Sequence, residues 1–422
     1  MTGDPSDGAN WAGTYSYRAH EIVSVRSKEE LIGIVNTAHR VRALGTRHSF
    51  NDVADSPGVL VETGALAGQP LIDEARCRVS VPSGMSYGTL GQFLQERGWA
   101  LHNLGSLPHI SVAGACATGT HGSGATNQSL AAAVCEIEII TGLGHVVRLD
   151  EHDPRFFGAV VALGALGIVT SLTLRVEPTF DVRQDVFIAM PWSDLGQLDE
   201  IMRCAYSVSL FTRWEGIVDL VWTKSRYVDG DSPLTVPYRD ALAATRPMSP
   251  TDDDPGNTTD QCGVPGPWNE RLPHFRFNRI PSHGEEIQSE YFVAREHGPA
   301  ALRALERIRD RFAPHLIVSE LRYVASDALW LSPAYGRDSL AIHFTWKRHP
   351  AEVRRLLAVI EETLQPFDAR PHWGKWFAMD ASRISVLYER LPDFEALVRE
   401  FDPNGKFRND YLSRVLSIGW PA

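Results

Sequence analysis

The chain lacks basic clusters, paired cysteines and long apolar runs, and each absence closes off a class of function. Its 41 Lys and Arg are outnumbered by 52 Asp and Glu, for a net charge of −11, and nowhere do the cations gather into a run. No nucleic-acid partner is expected, because phosphate backbones are held by concentrated positive charge. No stretch is long and apolar enough to cross a bilayer, so no membrane partner is expected either. The segment from Met1 to Trp11 has no cationic start followed by an apolar run, which predicts no export signal and a cytoplasmic protein. The five cysteines, Cys77, Cys116, Cys135, Cys204 and Cys262, are odd in number and contain no C-x-x-C pair. That pattern fits reduced thiols and leaves no metal finger, so no metal is expected.

Three nucleotide and hydrolase signatures are also missing. No strand leads into G-x-G-x-x-G and a helix; Gly164-Ala165-Leu166-Gly167 is too short and precedes a strand. No glycine-rich run ends in Gly-Lys-Ser or Gly-Lys-Thr. Leu104-Gly105-Ser106-Leu107-Pro108 lacks the second glycine of a nucleophile elbow, and no acid partner is placed by sequence.

What is present is ordinary in bulk: 43% hydrophobic and 22% charged residues, as in a globular protein. At 422 residues the chain exceeds the about 250–300 that a single core serves, so two domains are expected. From Asn103 to Gly124 it is rich in glycine, small residues and hydroxyls, and no helical or strand period is sustained. Open backbone amides there suit the wall of a large flat or phosphorylated ligand. Upstream, Ser27-Lys28-Glu29-Glu30 forms a capping box ahead of Leu31, Ile34, Val35, Ala38 and Val41 at helical spacing, feeding a strand at 41–44. Gly45-Thr46-Arg47-His48-Ser49-Phe50 follows as a turn with a histidine at its tip.

Strands are predicted at 59–61, 78–81, 134–140, 146–149 and 169–176, with a helix carrying Tyr87, Leu90, Phe93 and Leu94 on one face. A domain boundary falls near Pro178. Beyond it come strands at 186–190 and 218–222 and a loop-rich span from Tyr227 to Pro273, in which Asp252-Asp253-Asp254 reads as a solvated turn. A helix carries Leu302, Leu305, Ile308 and Phe312. Strands at 316–324 and 340–346 then carry polar residues at period two, Glu320 and Arg322 on one and His343 and Thr345 on the other. The same alternation marks any surface sheet. A helix at 353–364 precedes Pro371-His372-Trp373-Gly374-Lys375-Trp376-Phe377.

The turn Gly45-Thr46-Arg47-His48-Ser49-Phe50-Asn51, followed by the serine- and threonine-bearing glycine loop, resembles the flavin-binding module of the vanillyl-alcohol-oxidase superfamily. Within it, that turn is similar to bacterial alditol, or xylitol, oxidases, as are Ser106-Leu107-Pro108-His109-Ile110-Ser111-Val112-Ala113-Gly114 and Ala117-Thr118-Gly119-Thr120-His121-Gly122. So are Leu329-Trp330-Leu331-Ser332-Pro333-Ala334-Tyr335-Gly336-Arg337-Asp338, Pro371-His372-Trp373-Gly374-Lys375 and Asp402-Pro403-Asn404-Gly405-Lys406-Phe407, all in the same order.

The resemblance implies an α+β flavoprotein of two domains. A PCMH-type FAD-binding domain would occupy 12–178, and a substrate-binding cap on an antiparallel sheet with flanking helices 179–370, with 371–422 returning to the flavin and active site. It implies FAD joined covalently to His48 through the flavin 8α carbon, chemistry open to a neutral imidazole nitrogen. It sets Ala43, Leu44, Gly45, Thr46, Arg47, Ser49, Ser106, Ser111, Gly114, Thr118, Gly119, Thr120, His121, Val169 and His372 against the cofactor, with Arg47 where many relatives carry glycine. Around the substrate it implies Ser106, Glu320, Arg322, His343, Thr345 and Lys375. Ser106, Glu320 and Thr345 would hold hydroxyls; Arg322 and Lys375 would favour an alkoxide-like oxygen and the reduced flavin; His343 is grouped with these two as catalytic.

The reaction so implied moves hydride from C1 of a polyol such as xylitol or sorbitol to flavin N5, giving the aldose, while molecular oxygen reoxidises the flavin to leave hydrogen peroxide. Gly105, small beside Ser106, is expected to leave room for that oxygen. A sugar-1,4-lactone oxidase or dehydrogenase of the same superfamily is the competing reading, and a non-catalytic sugar-binding flavoprotein the alternative of another class. A monomer is expected.

Overall fold

The computed structural model describes residues 8–66, 68–230, 236–238, 240–251, 253–279 and 286–419; residues 1–7 and Asp252 of the acidic turn lie outside them. Three parallel strands open the fold, in the spatial order Glu21–Ser24, Val59–Glu62, Val41–Leu44. The helix Lys28–Thr37 starts at Ser27, whose hydroxyl accepts from the Glu30 N–H as a capping box requires, while the Glu30 carboxylate reaches one residue further back and accepts from the Arg26 N–H. It stops at Thr37, so Val41 is strand and not helix. Leu31, Val35 and Val41 share one buried cluster with Val61, which is why a single helical period appeared to run through all three.

A second, antiparallel sheet follows in the order Leu71–Asp73, Arg78–Pro82, Ile168–Arg175, Val134–Ile140, Val146–Asp150. The stretch expected to lack periodicity holds a short helix, Val112–Ala117. Alanine, cysteine and glycine keep that helix thin, and Val112, Ala115 and Cys116 are buried in the main core.

From Asp181 onward the chain builds a nine-stranded antiparallel sheet. Its central order is Asp181–Pro191, Ile217–Tyr227, Ser207–Thr212, Leu316–Val324, Ser339–Lys347, Glu286–Ala294, with Arg370–Pro371 pairing beyond. The predicted strands at 186–190 and 218–222 are the more apolar halves of the first two, which extend further at 181–185 and 223–227 where the sequence is more polar. Ser207–Thr212 and Glu286–Ala294 were not expected. The helix predicted through Phe312 is two, Gly298–Glu306 and Arg309–Phe312. One face of the sheet is apolar: Phe344 and Trp346 stack on each other and meet Phe312 edge-on. Ala301, Leu302 and Leu305 of Gly298–Glu306, and Val353, Leu357 and Ile360 of Pro350–Leu364, are buried in the same core. With that face sealed, the alternate residues turn the other way.

The C-terminal segment ties back to the first strands. Val41 N–H donates to Lys406 O at 3.0 Å, Arg42 Nη1 to Phe407 O at 2.6 Å, and Asn409 Nδ2 to the carbonyls of Asp52, Val53 and Asp55. All five cysteines are free thiols. Among the described residues no helix is long and apolar enough to cross a membrane.

Candidate active site

A cavity of about 310 Å³ is walled on one side by the turn after Val41–Leu44 and the glycine-rich loop, and on the other by the polar face of the large sheet. Gly45 sits where an added Cβ would come within 2.8 Å of Ser111 Oγ, and at Gly114 the gap to the same oxygen would be 2.7 Å. Neither position accepts a larger residue without shifting that serine. The Ser111 N–H donates to Thr46 Oγ1 at 3.1 Å, which fixes turn and helix start together.

Arg47 has a φ of 62°, the left-handed region in which glycine is at ease; a side chain there costs about 1–2 kcal/mol. Its Nη2 lies 2.7 Å from Glu62 Oε1, so the charge is matched within the wall. The next residue, His48, stacks on Trp11 with ring centroids 5.3 Å apart. Its Nδ1 is buried on the cavity without any hydrogen-bond partner, and burial, against an opposing hydrogen bond to the Thr46 backbone, lowers its pKa to about 4. A neutral imidazole with an unused ring nitrogen, on a ring that lines a cavity, has the chemistry of a nucleophile. These features fit a bound flavin.

Ala43, Leu44, Thr46, Ser49, Thr118, Thr120, His121, Val169 and His372 also line the cavity, as do Ser106 and Ser111. Gly119, expected among them, is not on the wall. It has a φ of 69°, and a Cβ there would press to 2.9 Å on Pro333 Cδ, so its role is to turn the chain. Conversely, Gly164 and Gly167, set aside as a nucleotide motif, do line the cavity. So does Asp253, accepting from Thr251 Oγ1 at 2.6 Å where a solvated turn had been expected.

On the cap side, strand register makes a row. Phe211 pairs with Glu320, Glu320 with His343, and His343 with Glu290 across four neighbouring strands. Arg322, Thr345 and Gln288 fall on the same face by period two. Ser106, Glu320, Arg322, His343, Thr345 and Lys375 all reach this one cavity. Glu320 and Arg322 are 6% and 4% exposed, so they are not a wet surface pair.

Glu290 is the residue the sequence reading missed. Its carboxylate accepts from Arg322 Nη2 at 2.8 Å and Lys375 Nζ at 2.6 Å, and lies 3.2 Å from His121 Nε2. Burial alone would raise its pKa, but Lys375, His121 and Arg322 outweigh this and hold it well below the usual carboxylate range. His121 Nδ1 donates to the Gly122 carbonyl at 2.8 Å, and burial, with Glu290 opposing, lowers the His121 pKa. Lys375 spends a second N–H on His343 Nδ1 at 2.7 Å, which leaves His343 Nε2 to donate to Thr345 Oγ1 at 3.0 Å. Burial lowers the His343 pKa to about 4 and lowers that of Lys375, Glu290 opposing in both cases. Arg322 is held charged: Glu320 and Glu290 outweigh its burial. Its Nε, 3.5 Å from Glu320 Oε1, makes no hydrogen bond.

His274 was also missed; its Nε2 lies 2.7 Å from Glu320 Oε1. The alternation Glu286-Ile287-Gln288-Ser289-Glu290-Tyr291 could have revealed Glu290 as a site residue. Nothing local marks His274.

Comparison with known proteins agrees with this architecture. Residues 19–150 match the model of an FAD binding domain, and residues 281–415 that of D-arabinono-1,4-lactone oxidase. The chain is 46% identical over 415 residues to an alditol oxidase of a Streptomyces species, covering 96% of this chain and 98% of that one. It is 29% identical to an L-gulono-1,4-lactone dehydrogenase of Mycobacterium tuberculosis, covering 97% and 98%. Among solved structures, a solvent-stable cholesterol oxidase superposes with a TM-score of 0.79 at 14% identity, covering 96% of both chains. The cholesterol oxidase of B. sterolicum gives 0.75 at 13%, covering 99% of both. At such identities these two share the fold alone. The cavity's flavin wall, its charged cap face and the 46% match together make this chain a member of the alditol oxidase family of FAD-dependent oxidoreductases, within the vanillyl-alcohol-oxidase superfamily.

Proposed function

We propose that the protein oxidises the terminal C1 hydroxyl of alditols such as xylitol or sorbitol to the aldose and passes the electrons to oxygen as hydrogen peroxide. The observation that carries this reading is the row Glu320, His343, Glu290 with Arg322 and Lys375, facing the same cavity as the unpartnered Nδ1 of His48. Bound FAD supplies the hydride acceptor and the return of electrons to oxygen.

The protein's own groups divide the remaining work. Ser106, Glu320 and Thr345 bond the hydroxyls of the chain; molecules without them would leave buried polar atoms unpaired. Arg322 stays charged and favours negative charge on the reacting oxygen. Lys375 has two N–H groups committed to Glu290 and His343, so in the neutral amine the remaining lone pair of Nζ is left for the substrate. Burial lowers its pKa and favours that neutral amine, which makes Nζ the atom to take up the proton of the C1 hydroxyl as hydride leaves C1. His343 acts by orienting Lys375 and Thr345.

His48 Nδ1 is the proposed point of covalent attachment to the flavin 8α carbon. The cofactor would lie against Ala43 to Ser49, Ser111, Gly114, Thr118, Thr120, His121, Val169 and His372. The free thiols support a reducing compartment, the cytoplasm, as its place of work. Lactones are the weaker candidate substrate, since the lactone dehydrogenase relative is 29% identical against 46% for the alditol oxidase. Product analysis tests the proposal: aerobic incubation with xylitol should yield xylose and peroxide in equal amounts, and xylose without peroxide, or neither, would contradict it.

A further inference from the structure

Behind Glu320 a second set of groups, absent from every role assigned above, runs into the sheet. Lys224, on the strand Ile217–Tyr227, is 1% exposed. Its Nζ lies 2.6 Å from Leu272 O, 3.0 Å from Pro273 O and 3.2 Å from His274 Nδ1. His274 is itself buried, its ring held edge-on by Trp222 at 5.0 Å and Phe211 at 5.7 Å. Its other nitrogen faces Glu320 Oε1 at 2.7 Å.

Hydrogen-bond counting assigns every proton. Glu320 is ionised, because Arg322 and His274 outweigh its burial and depress its pKa, so it can only accept. His274 Nε2 must then carry the hydrogen, and burial, which lowers the His274 pKa to about 4, keeps the ring singly protonated. Nδ1 is therefore an acceptor. Lys224 faces three acceptors, two carbonyls and this nitrogen, and only an ammonium has three N–H groups to match them. Burial works against that charge, lowering the Lys224 pKa to about 7, with Glu320 opposing.

The same segment grips the other wall of the cavity. The N–H groups of His274 and Phe275 both donate to the Ser106 carbonyl, at 3.1 and 3.2 Å, and His109 Nε2 meets Phe277 O at 2.8 Å. Lys224 thus anchors a loop that positions two polyol-binding groups from opposite sides. Both protein contacts of Glu320 fall on Oε1, which leaves Oε2 to the cavity.

We propose that Lys224 and His274 form a positioning relay that fixes Glu320 and Ser106 as the subsite for alditol hydroxyls remote from the reacting carbon. The proposal rests on the alditol-oxidising reading of the cavity. Along the wall the order is Lys375, Glu290, Arg322, Glu320, His274, Lys224. Glu320 is thus separated from Lys375 by two charged groups, and loss of its support weakens binding of the polyol tail more than the step at C1. Lys224 has a mirror in Lys375, which donates to His343 Nδ1 as Lys224 does to His274 Nδ1. Each lysine leaves its histidine a single Nε2–H for a substrate-facing group, Thr345 in one case and Glu320 in the other.

The test compares His274→Gln, His274→Leu and Lys224→Met with the unaltered holoenzyme. The amide nitrogen of Gln reaches the position of Nε2 and can donate to Glu320; Leu cannot. The rate of anaerobic flavin bleaching against xylitol concentration gives a Kd and a limiting rate. The thermal shift given by xylitol to the dithionite-reduced enzyme reads binding without turnover. His274→Leu and Lys224→Met should each raise the Kd about ten- to a hundredfold, the size of one hydrogen bond to a charged group. They should shrink the thermal shift and leave the limiting rate within about threefold, and His274→Gln should restore most of the affinity. Should the Leu variant fail to fold, His274→Asn, too short to reach Glu320, takes its place. A Kd unchanged in Leu and Met variants, or equally weak in Leu and Gln, would overturn the relay while leaving alditol oxidation intact. An unaltered enzyme that xylitol does not bleach would overturn both.

Discussion

Glu290 and Lys375, 85 positions apart in sequence, meet at 2.6 Å between Oε2 and Nζ at the centre of the buried cap face. The same carboxylate also holds Arg322 and touches His121, so one side chain sets the positions of both cations of the site. Glu290→Gln keeps the shape and an acceptor but removes the charge. We expect the variant to fold and stay yellow, with xylitol bleaching its flavin about ten- to a hundredfold more slowly, as befits a lost charge-assisted bond. A rate within twofold of the unaltered protein would show that the carboxylate is only structural.

His48 lines the cavity, and its buried Nδ1 has no hydrogen-bond partner. His48→Ala should fold, because the ring stacks on Trp11 and its removal leaves no buried charge behind. Acid-precipitated unaltered protein should remain yellow, and precipitated His48→Ala should release all of its flavin to the supernatant. Colour retained in the variant pellet would place the covalent bond elsewhere.

At Gly105 an added Cβ would meet Ile110 Cδ1 at 3.6 Å, Thr120 Cγ2 at 3.7 Å and His121 O at 3.8 Å, all ordinary contacts. Gly105→Ala is therefore tolerated in the fold and fills space beside three residues that line the cavity. Bleaching by xylitol should be unchanged and reoxidation by oxygen about tenfold slower. Unchanged reoxidation would remove Gly105 from any account of oxygen access.

Burial lowers the pKa of His274 and His343 to about 4, and pushes His372 down as well. An unfolded histidine takes up its proton near pH 6.5. Between about pH 6.5 and 4 the unfolded chain thus binds more protons than the folded one, and stability falls as pH falls. Glu290 and Glu320, both held below the ordinary range, add their loss only below about pH 4.5. Thermal unfolding followed at pH 7, 6 and 5 should give a Tm that drops at each step; a constant Tm would mean these histidines are not buried neutral.

Much of the site was legible because local rules govern it. Period-two alternation put Glu320 with Arg322 and His343 with Thr345, and only a sealed apolar face of Phe344 and Trp346 decides that the polar face is a buried cavity and not a wet surface. Glu290 sits on a strand whose alternation is just as regular, but a loop-rich reading of the preceding span drew attention away from it. His274 was illegible for a different reason: it lies in no regular element, and its partners Glu320, Lys224 and Ser106 are far off in sequence. Arg47 could be seen as unusual, yet its left-handed backbone and its pairing with Glu62 are three-dimensional facts.

The central claim is that this cavity oxidises alditols, and mixing the purified yellow protein with xylitol in the absence of oxygen, beside a parallel sample with a gulono-1,4-lactone, tests it most directly. The flavin absorbance should bleach with xylitol and not with the lactone, then return with peroxide when air is admitted. Bleaching by the lactone alone, or by neither, would contradict the claim.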